Sequence, residues 1–192
     1  MQLTKHHLPD WHLPNILTGV RILAIPLVVV LLFFPGPLAS FLAALCFSLA
    51  GATDFLDGFL ARRQKLVSRF GKFMDPLADK LLVSAALIML IPLDRVPAWM
   101  AFVIIGREMS VTGLRALAAA EGVILAPDRW GKAKTFVQII ALTGLILHYP
   151  YLEVDFHWLG MILLWLALAI TVTSGVGYFL AFFQQAALAN PE

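Results

Sequence analysis

Between Ala52 and Lys80 the chain reads ATDFLDGFLARRQKLVSRFGKFMDPLADK, with four aspartates where one apolar segment ends and the next begins. A carboxylate near a bilayer core costs on the order of 3 kcal/mol by insertion scales, so four together need a compensating cation or a purpose. The surroundings make a bilayer the relevant solvent. Of 192 residues, 60% are hydrophobic and 14% charged, whereas an ordinary soluble domain carries about 25% charged residues. Mean hydropathy is +0.86. These values read as an integral membrane protein. No long polar or low-complexity stretch divides residues 1–192, so a single domain is expected.

A helix needs about 20 apolar residues to cross a hydrocarbon core of about 30 Å. Six segments emerge as spans: Ile16–Phe34, Leu38–Leu60, Pro76–Ile91, Ala98–Ala118, Lys132–Leu147 and Phe156–Phe183. The predicted fold is therefore all-α, a six-helix transmembrane core over about residues 16–183 preceded by an interfacial segment over residues 1–15, where DWHLPN mixes aromatic and polar groups. The first apolar run is too long for a signal h-region of about 7–15 residues and reads as a retained span. FPGP at Phe34–Pro37, PLDRVP at Pro92–Pro97 and HYPYLEVDF at His148–Phe156 supply turns between spans.

Sidedness follows from lysine and arginine, which accumulate in cytoplasmic loops and flanks. Lys5, Arg62, Arg63, Lys65, Arg69, Lys72, Lys80, Arg115, Arg129, Lys132 and Lys134 fall at or beyond the ends that share a side with the N-terminus. Only Arg95 lies in an opposite-side loop, while Arg21 and Arg107 sit inside spans near the first side. Both termini and the acidic cluster are thus predicted to be cytoplasmic. A formal net charge of +2 is too small to argue for a nucleic-acid partner. The single cysteine, Cys46, lies in an apolar run and reads as a small buried hydrophobe.

Asp54 and Asp57 are three apart, and Asp75 and Asp79 four apart, so each pair occupies one face of a helix. A short connection between the two helices lets the carboxylates converge, and like charges so close repel unless a cation lies between them. With no histidine or cysteine nearby, the donor set suits a hard ion: Mg²⁺, Mn²⁺ or Ca²⁺. Paired divalent ions are one arrangement for clamping the attacking and leaving oxygens of phosphoryl transfer. Gly51, Gly58 and Gly71 permit close backbone approach, Ala61 keeps the same face open, and Arg62 is placed to neutralise a phosphate. Two plainer readings compete. The aspartates could be flank charges paired with neighbouring basic residues, and Asp75, before Pro76, suits a helix N-cap.

From Asp54 to Asp79 the spacing is D-x2-D-G-x2-A-R-x8-G-x3-D-x3-D, which resembles the signature of the CDP-alcohol phosphotransferases. That resemblance implies six transmembrane helices, two divalent cations (Mg²⁺ or Mn²⁺) and a CDP-linked substrate at the cytoplasmic face. It makes Asp54, Asp57 and Asp75 metal ligands and Asp79 the general base, with possible metal contact. Asp57, Gly58, Ala61, Arg62 and Gly71 would line the nucleotide's seat. A homodimer is expected from the same resemblance.

The acceptor turns on a second basic cluster. Arg107 is flanked by AFVII and MSV and needs a partner, which the adjacent Glu108 offers, and Arg115 follows eight residues on along a similar face. With Lys132 and Lys134 they would make a pocket for a dianionic phosphate, although the lysines also fit plain positive-inside topology. PNILTGVRI, GREMSVTGLR and GKAKT resemble the bacterial phosphatidylglycerophosphate synthase branch of the family, from Pro14 to about Leu142. This implies glycerol 3-phosphate as acceptor, CDP-diacylglycerol as donor, nucleotide or phosphate contacts from Asn15, Thr18 and Arg21, and a multi-pass protein of the bacterial inner membrane. Asn15 also fits a helix N-cap. The rival activities are a sister synthase making phosphatidylserine, phosphatidylinositol phosphate or cardiolipin, and a divalent-cation transporter. The transporter is disfavoured because the acidic residues occupy one end of the spans and not a path.

Overall fold

Six helices account for nearly all the residues that the computed structural model describes, namely 13–64, 69–120, 130–151 and 153–189, and no strand occurs among them. They are α1 (Leu13–Leu32), α2 (Pro37–Gln64), α3 (Arg69–Leu90), α4 (Ala98–Ala120), α5 (Trp130–Leu147) and α6 (Phe156–Ala189). Each overlaps one of the six apolar segments, with α1 and α3 ending one or two residues earlier than expected, and the larger differences lie at charged ends. α2 runs on to Gln64 and α3 starts at Arg69, so Asp75 lies inside a helix and is not its N-cap. Hydropathy marks where a helix enters hydrocarbon, whereas Arg, Lys and Met carry a helix onward by propensity. Pro76 then removes one backbone N–H and leaves the carbonyl of residue 72 without its usual partner four residues on. α1 already runs from Leu13, so Asn15 sits in its first turn and not at its cap. Most of the expected interfacial segment falls outside the described residues.

By length and composition α6, over Phe156–Gln185, is the one helix among the described residues able to cross a membrane unaided. Among the described residues α1, α2 and α5 contribute shorter apolar runs, Gly19–Leu32, Pro37–Thr53 and Ala133–Leu147. Large apolar side chains nevertheless cover the outside of the helices, among them Leu23, Phe33, Leu38, Phe102, Trp158, Trp165 and Phe183. Such an exterior suits lipid and not water.

The interior is a continuous cluster that includes Phe47 of α2, Leu87 and Leu90 of α3, Met100 and Ile104 of α4, Leu142 and Leu145 of α5 and Leu164 of α6. α5 packs closely on α6 because glycines meet: a Cβ on Gly160 would lie 2.8 Å from the Leu145 nitrogen and 2.9 Å from the Ala141 carbonyl oxygen. Gly144 faces the same seam, 3.1 Å from the Gly160 Cα by the same measure. Small residues at a helix crossing let backbones approach, which is how helices associate where lipid removes the hydrophobic drive. Gly160→Val is therefore expected to force the pair apart at a cost of about 1–3 kcal/mol, read as a lowered melting temperature in detergent. An unchanged melting curve would show that the seam has slack.

The α1–α2, α3–α4 and α5–α6 turns meet at one end of the bundle. Gly36, with φ of 134°, opens the first turn, and Asp94, His148 and Glu153 adopt φ between 55° and 64° in the other two. Arg95 is buried there and donates to the Ile146 carbonyl at 2.8 Å and to Ser40 Oγ at 3.3 Å, tying the α3–α4 turn to α5 and α2. The Tyr151 hydroxyl donates to the Pro37 carbonyl at 2.6 Å. Asp155 caps α6, its Oδ1 accepting from the Trp158 amide at 3.0 Å. Burial, and then the Arg95 guanidinium, hold the His148 imidazole below its ordinary value.

Candidate active site

The sequence signature lies towards the opposite end of the helices. Asp54, Asp57, Gly58, Ala61 and Arg62 lie on the C-terminal half of α2, and Gly71, Asp75 and Asp79 on the N-terminal half of α3. The two helices pack against each other, so the signature occupies adjacent helix segments as its spacing requires. The side chains of Asn15, Thr18, Asp54, Asp57, Ala61, Arg62, Asp75 and Lys132 lie outside the described residues. Among those described, no three histidine, cysteine or acidic side chains converge as a metal site. The donor set itself, four carboxylates with no soft ligand, fits a hard divalent ion.

Arg21 shows how this end is braced. It is fully buried, and its Nε donates to the Ala50 carbonyl at 3.3 Å and its Nη2 to Thr53 Oγ1 at 3.4 Å. Thr53 in turn donates to the Ala50 carbonyl at 2.7 Å. α1 thereby grips α2 in the turn that leads into Asp54. Gly51, one turn earlier, packs against the Ile139 side chain of α5, where an added Cβ would come within 3.0 Å. Its lack of a side chain serves helix packing.

Asp79 faces the charged cluster of α4 and α5. It lines a cavity of about 20 Å³ together with Lys80, Ser84, Glu108, Lys134 and Gln138. That volume holds about one water. Glu108 is the hub: its Oε1 pairs with Arg107 Nη1 at 3.0 Å and with the Lys134 ammonium. Lys80 donates to Thr112 Oγ1, and Thr112 donates back to the Glu108 carbonyl at 2.7 Å. Arg107 also donates to Ser174 Oγ of α6 at 2.6 Å, and its guanidinium lies 5.9 Å from the centre of the Tyr178 ring. The Lys134 side chain is only 5% exposed. A long cation so deeply buried is costly without a counter-charge, and Glu108 supplies it.

Among the described residues three cations, Lys80, Arg107 and Lys134, thus gather near two carboxylates, Asp79 and Glu108. Such a cluster can bind a polyanion once Lys134 and Lys80 turn from their present partners towards it. Arg115, expected in the same pocket, is exposed on α4 and does not line the cavity. On the far side of Arg107, between α4 and α6, runs an apolar groove of about 390 Å³ lined by Val172, Val176, Phe179, Leu180 and Phe183.

Several participants escaped the sequence reading. Lys80 counted there only as a topology charge, although it follows Asp79 directly. Gln138 was detectable, since four residues after Lys134 it must share that lysine's face. Ser174 and Thr112 had no local signal, because their contacts arise from the packing of α4 on α6 and on α3.

Comparison with known proteins identifies the family. A family model described as CDP-alcohol phosphatidyltransferase matches residues 11–173. A Bacillus subtilis protein named CDP-diacylglycerol–glycerol-3-phosphate 3-phosphatidyltransferase is 45% identical over 182 residues, covering 88% of this chain and 94% of its own. A Rickettsia prowazekii protein of the same name is 43% identical over 177 residues, covering 90% and 96%. The Haemophilus influenzae protein so named is 37% identical over 174 residues, covering 88% and 91%. With a family model spanning most of the sequence and relatives aligned along nearly their whole length, the chain belongs to the CDP-alcohol phosphatidyltransferase family.

Proposed function

We propose that the chain transfers the phosphatidyl group of CDP-diacylglycerol to the primary hydroxyl of glycerol 3-phosphate, releasing CMP and forming phosphatidylglycerol phosphate. The observation that carries this reading is that Asp79, the last aspartate of the signature, shares one cavity with the buried cation Lys134 and with Lys80. A base beside an anion-binding cluster suits an acceptor bearing a hydroxyl at one end and a dianion at the other. Serine has no such dianion.

Asp79 takes the proton of the acceptor hydroxyl, whose oxygen attacks the lipid-side phosphorus as the pyrophosphate bond breaks and CMP departs with the electron pair. Asp54, Asp57, Asp75 and Asp79 would hold two divalent cations, Mg²⁺ or Mn²⁺, which when bound offset charge on the pyrophosphate and on departing CMP. Gly58, Ala61, Arg62 and Gly71, with Asn15 and Thr18, seat the nucleotide, while Arg21 holds α2 in register beneath it. Lys134, Arg107 and Lys132 receive the acceptor phosphate, with Arg115 at its approach. The apolar groove beyond Arg107 offers a place for an acyl chain. No covalent nucleophile is invoked, and a single displacement is the simplest course.

The reaction belongs at the cytoplasmic face of a multi-pass protein of the bacterial inner membrane, both termini on that side, working as a homodimer in keeping with the family resemblance. The distribution of lysine and arginine supports the sidedness. The signature stands where the apolar sequence of α2 ends and that of α3 begins, which supports a site in the head-group layer where a lipid phosphate meets a water-soluble acceptor.

The test is an assay of purified protein in micelles with CDP-diacylglycerol and radiolabelled glycerol 3-phosphate, with Mg²⁺ or EDTA, and with serine or inositol 1-phosphate as alternative acceptors. Metal-dependent labelled lipid formed from glycerol 3-phosphate alone is the expected result. Efficient product from serine or inositol 1-phosphate would reassign the acceptor, and no product from any acceptor would remove the transferase reading.

A further inference from the structure

Gln138 is a carboxamide buried among the charged groups of this cavity. Only 3% of it is exposed, it lines the cavity with Asp79, Glu108 and Lys134, and its Nε2 meets no hydrogen-bond acceptor among the described residues. Buried amide donors are nearly always partnered, and one without a partner inside a substrate cavity calls for an explanation. Its position supplies one. Gln138 lies one turn along α5 from Lys134, about 6 Å at four residues of 1.5 Å rise, on the same face. Asp79 looks into the same space from α3.

An acceptor enters this space once Lys134 and Lys80 turn from their present partners, and with its phosphate at Lys134 and its primary hydroxyl at Asp79 the carbon between them would lie beside Gln138, which lines the same cavity. We propose that Gln138 reads the secondary hydroxyl of the acceptor, donating from Nε2 to that oxygen, and so selects a three-carbon polyol phosphate over a phosphate that lacks the middle hydroxyl. This inference rests on the reading of the cavity as the glycerol 3-phosphate site. The hydroxyl satisfies the amide, and an acceptor without it leaves a buried donor unpaired, which is how polar sites reject analogues more strongly than apolar pockets do. The plainer alternative is that Nε2 bonds a trapped water and serves the fold alone.

The experiment compares glycerol 3-phosphate with 3-hydroxypropyl phosphate, which keeps the phosphate and the primary hydroxyl but has no secondary one. Initial rates with CDP-diacylglycerol and Mg²⁺ in micelles would be measured for the parent, for Gln138→Leu and for Gln138→Met, the last preserving side-chain length. The parent is expected to prefer glycerol 3-phosphate by about tenfold or more in kcat/KM. The variants should lose that preference by falling on glycerol 3-phosphate while holding nearly steady on the analogue. Equal losses on both acceptors would make Gln138 a structural residue, and a parent indifferent to the missing hydroxyl would overturn the inference without any variant. A second readout needs no variant and no turnover: glycerol 3-phosphate should raise the parent's melting temperature more than the analogue does, and equal shifts would count against selection. Should the parent use neither acceptor, the proposed reaction fails first and this inference with it, an outcome distinct from turnover without discrimination.

Discussion

The Asp79→Asn variant is expected to fold and to turn over about 10²–10⁴-fold more slowly than the parent, the usual worth of a positioned general base. Asparagine matches aspartate in shape, so cavity packing should survive. What disappears is the capacity to accept a proton and the negative charge opposite Lys134 and Lys80. The two losses separate in the kinetics. A missing base lowers kcat and removes the acid limb of the pH–rate profile, whereas a missing counter-charge acts on acceptor binding and shows in KM. The signature resemblance also leaves Asp79 within reach of a cation. If it ligates one, the Mg²⁺ concentration for half-maximal rate will rise in the variant as well. Turnover at the parental rate, with melting temperature unchanged, would take the proton from Asp79 and give it to another group.

How far the sequence carried the reading depends on the physics of each part. The helices were legible because hydrocarbon demands long apolar runs, and the turns because FPGP, PLDRVP and HYPYLEVDF hold the glycine, prolines and aspartates that end them. The end of α2 and the beginning of α3 were not legible. RFGKFMD is polar enough to resemble a loop, and a residue before proline is usually driven from helical geometry, yet Asp75 and Pro76 lie inside α3. The signature aspartates were found because their spacing is a local property of one helix turn. The network around Glu108 was not, beyond its pairing with Arg107, because Lys134 and Thr112 meet that residue only through the packing of three helices. Arg107 was expected at the phosphate. In the structure it clasps Ser174 on α6, a role that no reading of neighbouring residues reveals.

Exchanging Lys134 for methionine should raise KM for glycerol 3-phosphate by about 10–100-fold, the worth of a charge-assisted hydrogen bond to a phosphate, and leave KM for CDP-diacylglycerol nearly unchanged. Methionine fills a similar buried volume and can pack against its apolar neighbours, so the loss is electrostatic. Because phosphate is held equally in ground and transition states, kcat should change little. Glu108→Gln tests the same cluster from the opposite sign. In the parent Glu108 occupies Lys134 and Arg107; without its charge the cluster keeps only Asp79 of its two described carboxylates against three cations, and the protein should melt earlier. Glycerol 3-phosphate, supplying the missing anion, should then stabilise Glu108→Gln by more than it stabilises the parent, since a ligand adds stability in proportion to how much tighter it binds the folded state. If Lys134→Met instead lost kcat at constant acceptor KM, Lys134 would belong to the phosphate that develops charge during transfer, and the acceptor's dianion would have to be sought nearer Arg115 and Lys132.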